Sequence, residues 1–134
     1  MQKKDLILIS VLALAIFGWG LHFLAGFFYL YWSVWWFDVL MHFMVSFTGG
    51  LGIYWGFFYS GLFFRQEFEN RAMAILLVFV CVMIVGVGWE IFEYVYGLTD
   101  APEGHKLDTI FDLIFDSLGA LLAGFLVTRK NIND

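Results

Sequence analysis

Four long apolar stretches dominate the sequence. They cover residues 6–31, 36–64, 72–96 and 108–128. A helix needs about 20 apolar residues to cross the hydrocarbon core of a bilayer, so each stretch is long enough. The connections between them are short, and neither a repeat nor a linker indicates a second domain. The sequence therefore predicts an all-α fold in which residues 1–134 form a single four-helix transmembrane bundle.

The composition excludes a soluble domain of this size. Hydrophobic residues make up 62% of the chain and charged residues 14%, whereas soluble domains carry about 25% charged residues. The formal net charge of −5 does not favour a nucleic-acid partner. The single cysteine excludes an internal disulfide and a cysteine-rich metal site. The expected partners are therefore membrane lipids.

The basic residues predict the orientation in the membrane. The first apolar stretch follows Lys3 and Lys4, but it is too long for a signal peptide and is interpreted as a retained helix. Six of the seven basic residues lie at the two termini or between the second and third stretches: Lys3, Lys4, Arg65, Arg71, Arg129 and Lys130. Because cytoplasmic loops carry an excess of Lys and Arg, both termini are predicted to face the cytoplasm, across a cytoplasmic (inner) membrane.

With this orientation, eight ionisable residues fall in the outer half of the membrane. They are His22, Asp38, His42, Glu90, Glu93, Asp108, Asp112 and Asp116. Within each later stretch they are three or four residues apart, which places them on one helix face. Each face continues into small residues, such as Gly86 and Gly119, and small faces are where membrane helices pack. The ionisable residues are therefore predicted to point into the bundle.

The negative charge of such a cluster must be neutralised or balanced, because burying an unpaired charge within a membrane is energetically costly. None of the four apolar stretches contains a Lys or Arg. Either several carboxyl groups are protonated, or a divalent metal ion binds them. Carboxylates with one or two imidazoles suit Mg²⁺, Mn²⁺ or Ca²⁺, and with more histidine Zn²⁺ or Fe²⁺. The predicted ligands are Asp38, His42, Glu90, Glu93, Asp108, Asp112 and Asp116. His42 and Glu90 are also the candidates for a general base.

Structural roles compete with these interpretations. Asp38 and Asp108 are each placed to cap a helix. Glu93 is near enough to the surface to be solvated, and His22 is interpreted as a hydrogen-bonded packing residue. A purely structural role is harder to assign to His42, Glu90, Asp112 and Asp116. Asp38, His42, Glu90, Glu93 and Asp112 are predicted to share one cavity that opens outward.

The ordered motifs resemble a known family. Asp38-x3-His42-Phe43 is followed by Glu90-x2-Glu93 and by Asp108-Thr109-x2-Asp112, which runs on to Gly119-Ala120. This set resembles the YjdF-like family of small bacterial inner-membrane proteins and, more distantly, the VanZ-like family. The sequence departs from the pattern at Asp116, where YjdF-like proteins carry a small residue and VanZ-like proteins often carry Asn. The resemblance implies a helical membrane fold and, through the VanZ-like family, a link to the cell envelope, but no reaction.

Three functions remain open. The first is a metal-dependent enzyme that acts on a lipid or envelope intermediate near the outer leaflet. The second is a proton or cation transporter, which would need a homo-oligomer because four helices leave little room for a pathway. The third is a non-catalytic membrane factor whose polar cluster is structural.

Overall fold

The computed structural model describes residues 2–64, 68–98 and 102–129, and for residues 102–105 the backbone only. The described chain forms α1 (Lys3–Phe27), α2 (Leu30–Ser33), α3 (Phe37–Phe58), α4 (Arg71–Tyr96) and α5 (Pro102–Val127). Four of these, α1, α3, α4 and α5 from Lys106 onward, are long and apolar enough to cross a membrane. The prediction of an all-α fold with four transmembrane helices is confirmed. The orientation stays a prediction.

The second membrane helix is shorter than predicted. The apolar stretch runs over residues 36–64, but α3 ends at Phe58. The chain then turns at Gly61, whose φ of 76° lies in the left-handed region that glycine adopts freely. The Phe64 N–H donates a hydrogen bond back to the Phe57 carbonyl over 3.0 Å. The aromatic residues after α3 therefore fold back onto the bundle, a reversal that hydropathy alone does not reveal.

The first stretch also ends earlier than predicted. The helix α1 ends at Phe27 instead of residue 31, and the chain reverses through Tyr29, whose φ of 55° is left-handed. The single helical turn α2 follows, and the Ser33 hydroxyl donates a hydrogen bond to the Tyr29 carbonyl over 2.8 Å. The short aromatic connection thus contains one helical turn of its own.

The last helix begins earlier than predicted, at Pro102 instead of residue 108. Proline is well tolerated at the first helical position, where its missing N–H would have no partner. Asp108 therefore lies inside α5 and does not cap it. Asp38 is not a cap either, because the N-cap of α3 is Trp36 and Asp38 lies in the first turn.

The central helix is α3, which packs against α1, α4 and α5. Its contact with α5 is close because α5 has a glycine, Gly119, where the two helices cross. A Cβ atom at Gly119 would lie 2.6 Å from the Phe43 carbonyl oxygen of α3. Gly18, Gly26 and Gly49 have no such neighbour within 4 Å in the part of the chain that the structure describes. Only part of the predicted small-residue faces therefore packs.

Candidate functional site

The buried polar side chains meet at one end of the bundle, where α3 and α5 begin and α4 ends. We call this the site end. Among the described residues, the buried polar or charged side chains are Ser46, Glu90, Asp112 and Asp116. The last two are 1% and 2% exposed. Three different helices supply these groups, so the site exists only in the packed bundle.

His42 lies at the centre of the group. Its Nε2 atom is 3.9 Å from Asp112 Oδ2 and 4.0 Å from Glu90 Oε1. Its Nδ1 atom is 3.3 Å from Asp116 Oδ1. The imidazole thus contacts α5 with both nitrogens and α4 with one.

Asp116 has a second partner. Its Oδ1 atom accepts a hydrogen bond from the Ser46 hydroxyl over 2.5 Å. Ser46 lies one helical turn beyond His42 on α3, so both groups reach the same carboxylate. The sequence places Ser46 on this face, but its bond to Asp116 depends on how α3 and α5 pack.

Three side chains are spaced closely enough to hold one metal ion. Asp38, His42 and Asp112 each offer a ligand atom, and these atoms all lie within 4.8 Å of one another. Two ligands of one ion can be at most two bond lengths apart, about 4.2 Å for bonds of about 2.1 Å. The 3.9 Å between His42 Nε2 and Asp112 Oδ2 is within that limit. The 4.8 Å limit for the whole group exceeds about 4.2 Å, so a bound ion requires the ligand atoms to lie slightly closer together.

The site also contains polar atoms without partners. Glu90 Oε1, Asp112 Oδ1 and Asp116 Oδ2 are buried and accept no hydrogen bond from the described residues. A buried, unsatisfied carboxylate oxygen is costly. The ion-pair contacts of these three carboxylates within the described chain are all with His42. One imidazole cannot balance three carboxylates, so the site lacks positive charge.

The other predicted residues lie further out. Glu93 is half-buried and near enough to Asp38 and Glu90 for their charges to interact. Asp108 is exposed near the start of α5, and its charge acts on Asp38 and Asp112 without a described contact to His42. The convergence is therefore tightest for Asp38, His42, Glu90, Asp112 and Asp116, with Glu93 and Asp108 at the rim.

The remaining histidine of the membrane helices takes no part in the site. His22 is exposed on α1, and its Nδ1 atom lies 2.7 Å from the Tyr31 hydroxyl. Burial, and then the carboxylates of Asp38 and Glu93, raise the pKa of Tyr31 to about 12. Tyr31 in α2 thus connects the end of α1 to the rim of the site.

The site is closed towards the opposite end of the bundle. One turn beyond Ser46, a Cβ atom at Gly50 would lie 2.8 Å from Ala123 Cβ and 3.2 Å from Val78 Cγ1. Val78, Ala120 and Ala123 are completely buried. The large buried core beyond this layer consists of aliphatic side chains with Tyr54 and Phe58. Among the described residues, the polar cluster therefore does not continue through the bundle.

The family model described as predicted membrane protein (DUF2238) matches residues 2–132. The chain belongs to this family. The match supports the YjdF-like resemblance at the level of a membrane-protein family, and the link to the VanZ-like family stays a prediction. No curated protein and no solved structure matches the chain.

Proposed function

We propose that this protein is a metal-dependent enzyme. It binds a divalent metal ion inside the membrane and uses the ion to act on a lipid or lipid-linked envelope intermediate. The ligands proposed are Asp38, His42 and Asp112, whose ligand atoms cluster within 4.8 Å. The observation that carries the proposal is the set of buried carboxylate oxygens without hydrogen-bond donors, on Glu90, Asp112 and Asp116. A cation held by Asp112 gives that carboxylate a partner and offsets the negative charge of Glu90 and Asp116 on either side of His42.

The ligand number favours catalysis over a purely structural ion. Structural zinc sites use four protein ligands, whereas catalytic sites use about three and keep a position open for water or substrate. The proposed set has three members. The bound ion would supply an acidified water or polarise a substrate oxygen.

Glu90 is the general base in this proposal. It is 6% exposed, and its Oε1 atom lies 4.0 Å from His42 Nε2, next to the proposed ion. His42 suits the role less, because its Nδ1 contacts Asp116 and its Nε2 faces the ligands. Glu93 and Asp108 would line the entrance.

The donor types narrow the choice of ion. One imidazole and two carboxylates suit Mn²⁺, Zn²⁺ or Fe²⁺ better than Mg²⁺ or Ca²⁺, which prefer oxygen alone. A transporter is the less favoured function because the tight layer of Gly50, Val78 and Ala123 blocks a route to the opposite end.

Metal analysis of the purified protein tests the binding step. The protein in detergent is stripped with a chelator, dialysed against Mn²⁺ or Zn²⁺ and analysed by mass spectrometry of the elements. We expect close to one ion per chain, lost in Asp38→Asn and Asp112→Asn. Glu69→Gln is the control, since Glu69 is exposed on the loop before α4. Wild-type protein that retains no ion contradicts the proposal.

A lipid-turnover assay tests the catalytic step. Metal-loaded protein is incubated with a total membrane lipid extract, and the products are identified by mass spectrometry. We expect wild-type protein to convert a lipid and Glu90→Gln to retain the ion but lose turnover. Unchanged lipids with a bound ion would leave a metal-binding membrane factor and refute the enzyme.

A further inference from the structure

Asp116 differs from the other carboxylates of the site in what it contacts. Its Oδ1 atom faces two groups of α3 at once, the Ser46 hydroxyl at 2.5 Å and His42 Nδ1 at 3.3 Å. The other nitrogen of His42, Nε2, faces Asp112 and Glu90. Asp116 therefore lies on the side of the imidazole that points away from the proposed ligands.

We infer that Asp116 is not a metal ligand but a positioning residue, which holds the His42 ring so that Nδ1 carries the proton and Nε2 is free to bind the ion. The inference rests on the proposed function for the identity of what Nε2 binds. It replaces the prediction that Asp116 is a ligand, because a carboxylate on the Nδ1 side cannot reach an ion held at Nε2.

The distances favour one tautomer of a neutral ring: Nδ1 is within hydrogen-bond distance of Asp116 Oδ1, at 3.3 Å, whereas the oxygens that face Nε2 are 3.9 and 4.0 Å away. An ionised carboxylate only accepts hydrogen bonds, so the nitrogen that faces it must be the donor. With the proton on Nδ1, Nε2 presents its lone pair to the space beside Asp112 and Glu90, whose facing oxygens are acceptors as well. The lone pair of Nε2 and these two oxygens make the space between them electronegative, which favours a cation there. Metal-bound histidines usually donate their other N–H to a carboxylate or carbonyl in this way.

The surroundings of Asp116 hold it in place from two helices. Ser46 of α3 donates to Oδ1. On the other side, Oδ2 lies against Gly86 of α4, where a side chain would leave no room for it. Asp116 is only 2% exposed, so solvent does not compete for Oδ1.

Nitrogen NMR of the histidine rings tests the inference. Protein labelled with ¹⁵N-histidine is studied in micelles with and without Zn²⁺, at a pH high enough for a neutral ring, and His42→Gln identifies the His42 signals. We expect a single tautomer with the proton on Nδ1, and a shift of the Nε2 signal when Zn²⁺ binds. A chelator competition gives the Zn²⁺ affinity, which should fall by about 10- to 100-fold in Asp116→Asn and Ser46→Ala.

The matched control is Ser117→Ala on α5, since the Ser117 hydroxyl contacts the Leu113 carbonyl of its own helix and the Met83 sulfur of α4, neither of which belongs to the site. It should retain both tautomer and affinity. If Asp116→Asn does not fold, Ser46→Ala carries the comparison. A proton on Nε2 in the wild type, or variants that bind Zn²⁺ as wild type does, overturn the positioning role. The expected tautomer without any Zn²⁺ binding would instead support the positioning role and refute the proposed metal function.

Discussion

Gly86 on α4 lies directly against the carboxylate of Asp116 on α5: a Cβ atom at residue 86 would be 2.5 Å from Oδ2 and 3.3 Å from Cγ. The absence of a side chain at one helix thus creates the space that a buried carboxylate of the next helix occupies. Asp116 in turn contacts His42 and Ser46 on α3. Gly86 therefore affects the site although it offers no ligand.

Replacing Gly86 should weaken metal binding. In Gly86→Ala the new methyl group must displace Asp116, and His42 loses its orienting contact. We expect Zn²⁺ affinity to fall by about 10-fold or more, as for other changes beside metal ligands. Gly88→Ala on the same helix is the control, because no atom of the described residues outside its own helical surroundings lies within 4 Å of a Cβ there. Chelator competition measures both, and equal affinities for the two variants would contradict the prediction.

Gly119→Ala should destabilise the bundle. The added methyl group would lie 2.6 Å from the Phe43 carbonyl oxygen and 2.9 Å from the Phe47 nitrogen, both backbone atoms that cannot rotate away. Forcing α3 and α5 apart should cost about 1–3 kcal/mol of the free energy of unfolding. Unfolding in micelles followed by circular dichroism measures the loss. Gly49→Ala, where a Cβ has no neighbour within 4 Å, should behave as wild type.

Tyr31 should make stability depend on pH in the alkaline range. The pKa of Tyr31 is raised from 10.0 to about 12 by burial and then by Asp38 and Glu93. Because the folded protein holds the phenol proton more tightly than the unfolded chain does, this contribution is complete below pH about 10 and is lost as the pH rises to about 12. Melting temperatures across this window should decline less steeply in Tyr31→Phe. An identical decline in both proteins would contradict the assignment.

Cysteine labelling should reveal which way the bundle faces. The distribution of Lys and Arg predicts that the site end is outside. In a Cys81→Ser background, Lys106→Cys near the site end should react with a membrane-impermeant maleimide in intact spheroplasts. Glu69→Cys at the opposite end should react only after permeabilisation. Both native residues are exposed, so the reverse pattern would refute the predicted orientation.

Much of the fold could be predicted because a membrane imposes simple rules. Within the bilayer the backbone must satisfy its own hydrogen bonds, so a long apolar stretch has little choice but to form a helix. The end of α3 is harder to predict, because residues 59–64 are as apolar as the helix before them and yet the chain turns at Gly61. Pro102 precedes the apolar stretch of residues 108–128, so hydropathy does not include it in the last helix, although proline is compatible with a first helical turn.

The candidate site was predictable only in part. Helical spacing indicates that His42 shares a face with Asp38, and Asp112 with Asp116. It does not say how far each helix is rotated about its axis, and this rotation places Asp116 at Nδ1 and Asp112 at Nε2. The same rotation leaves Asp108 exposed, although it lies one turn from Asp112.

The sequence by itself determined that this chain crosses a membrane four times and carries ionisable groups on the small-residue faces of its helices, because hydropathy and helical period are local properties. The tertiary structure decided which of those groups meet, which one orients His42 and where the polar cluster ends. These depend on distances between helices, and the layer of Gly50, Val78 and Ala123 is tight only because three separate helices bring small or branched side chains to the same depth.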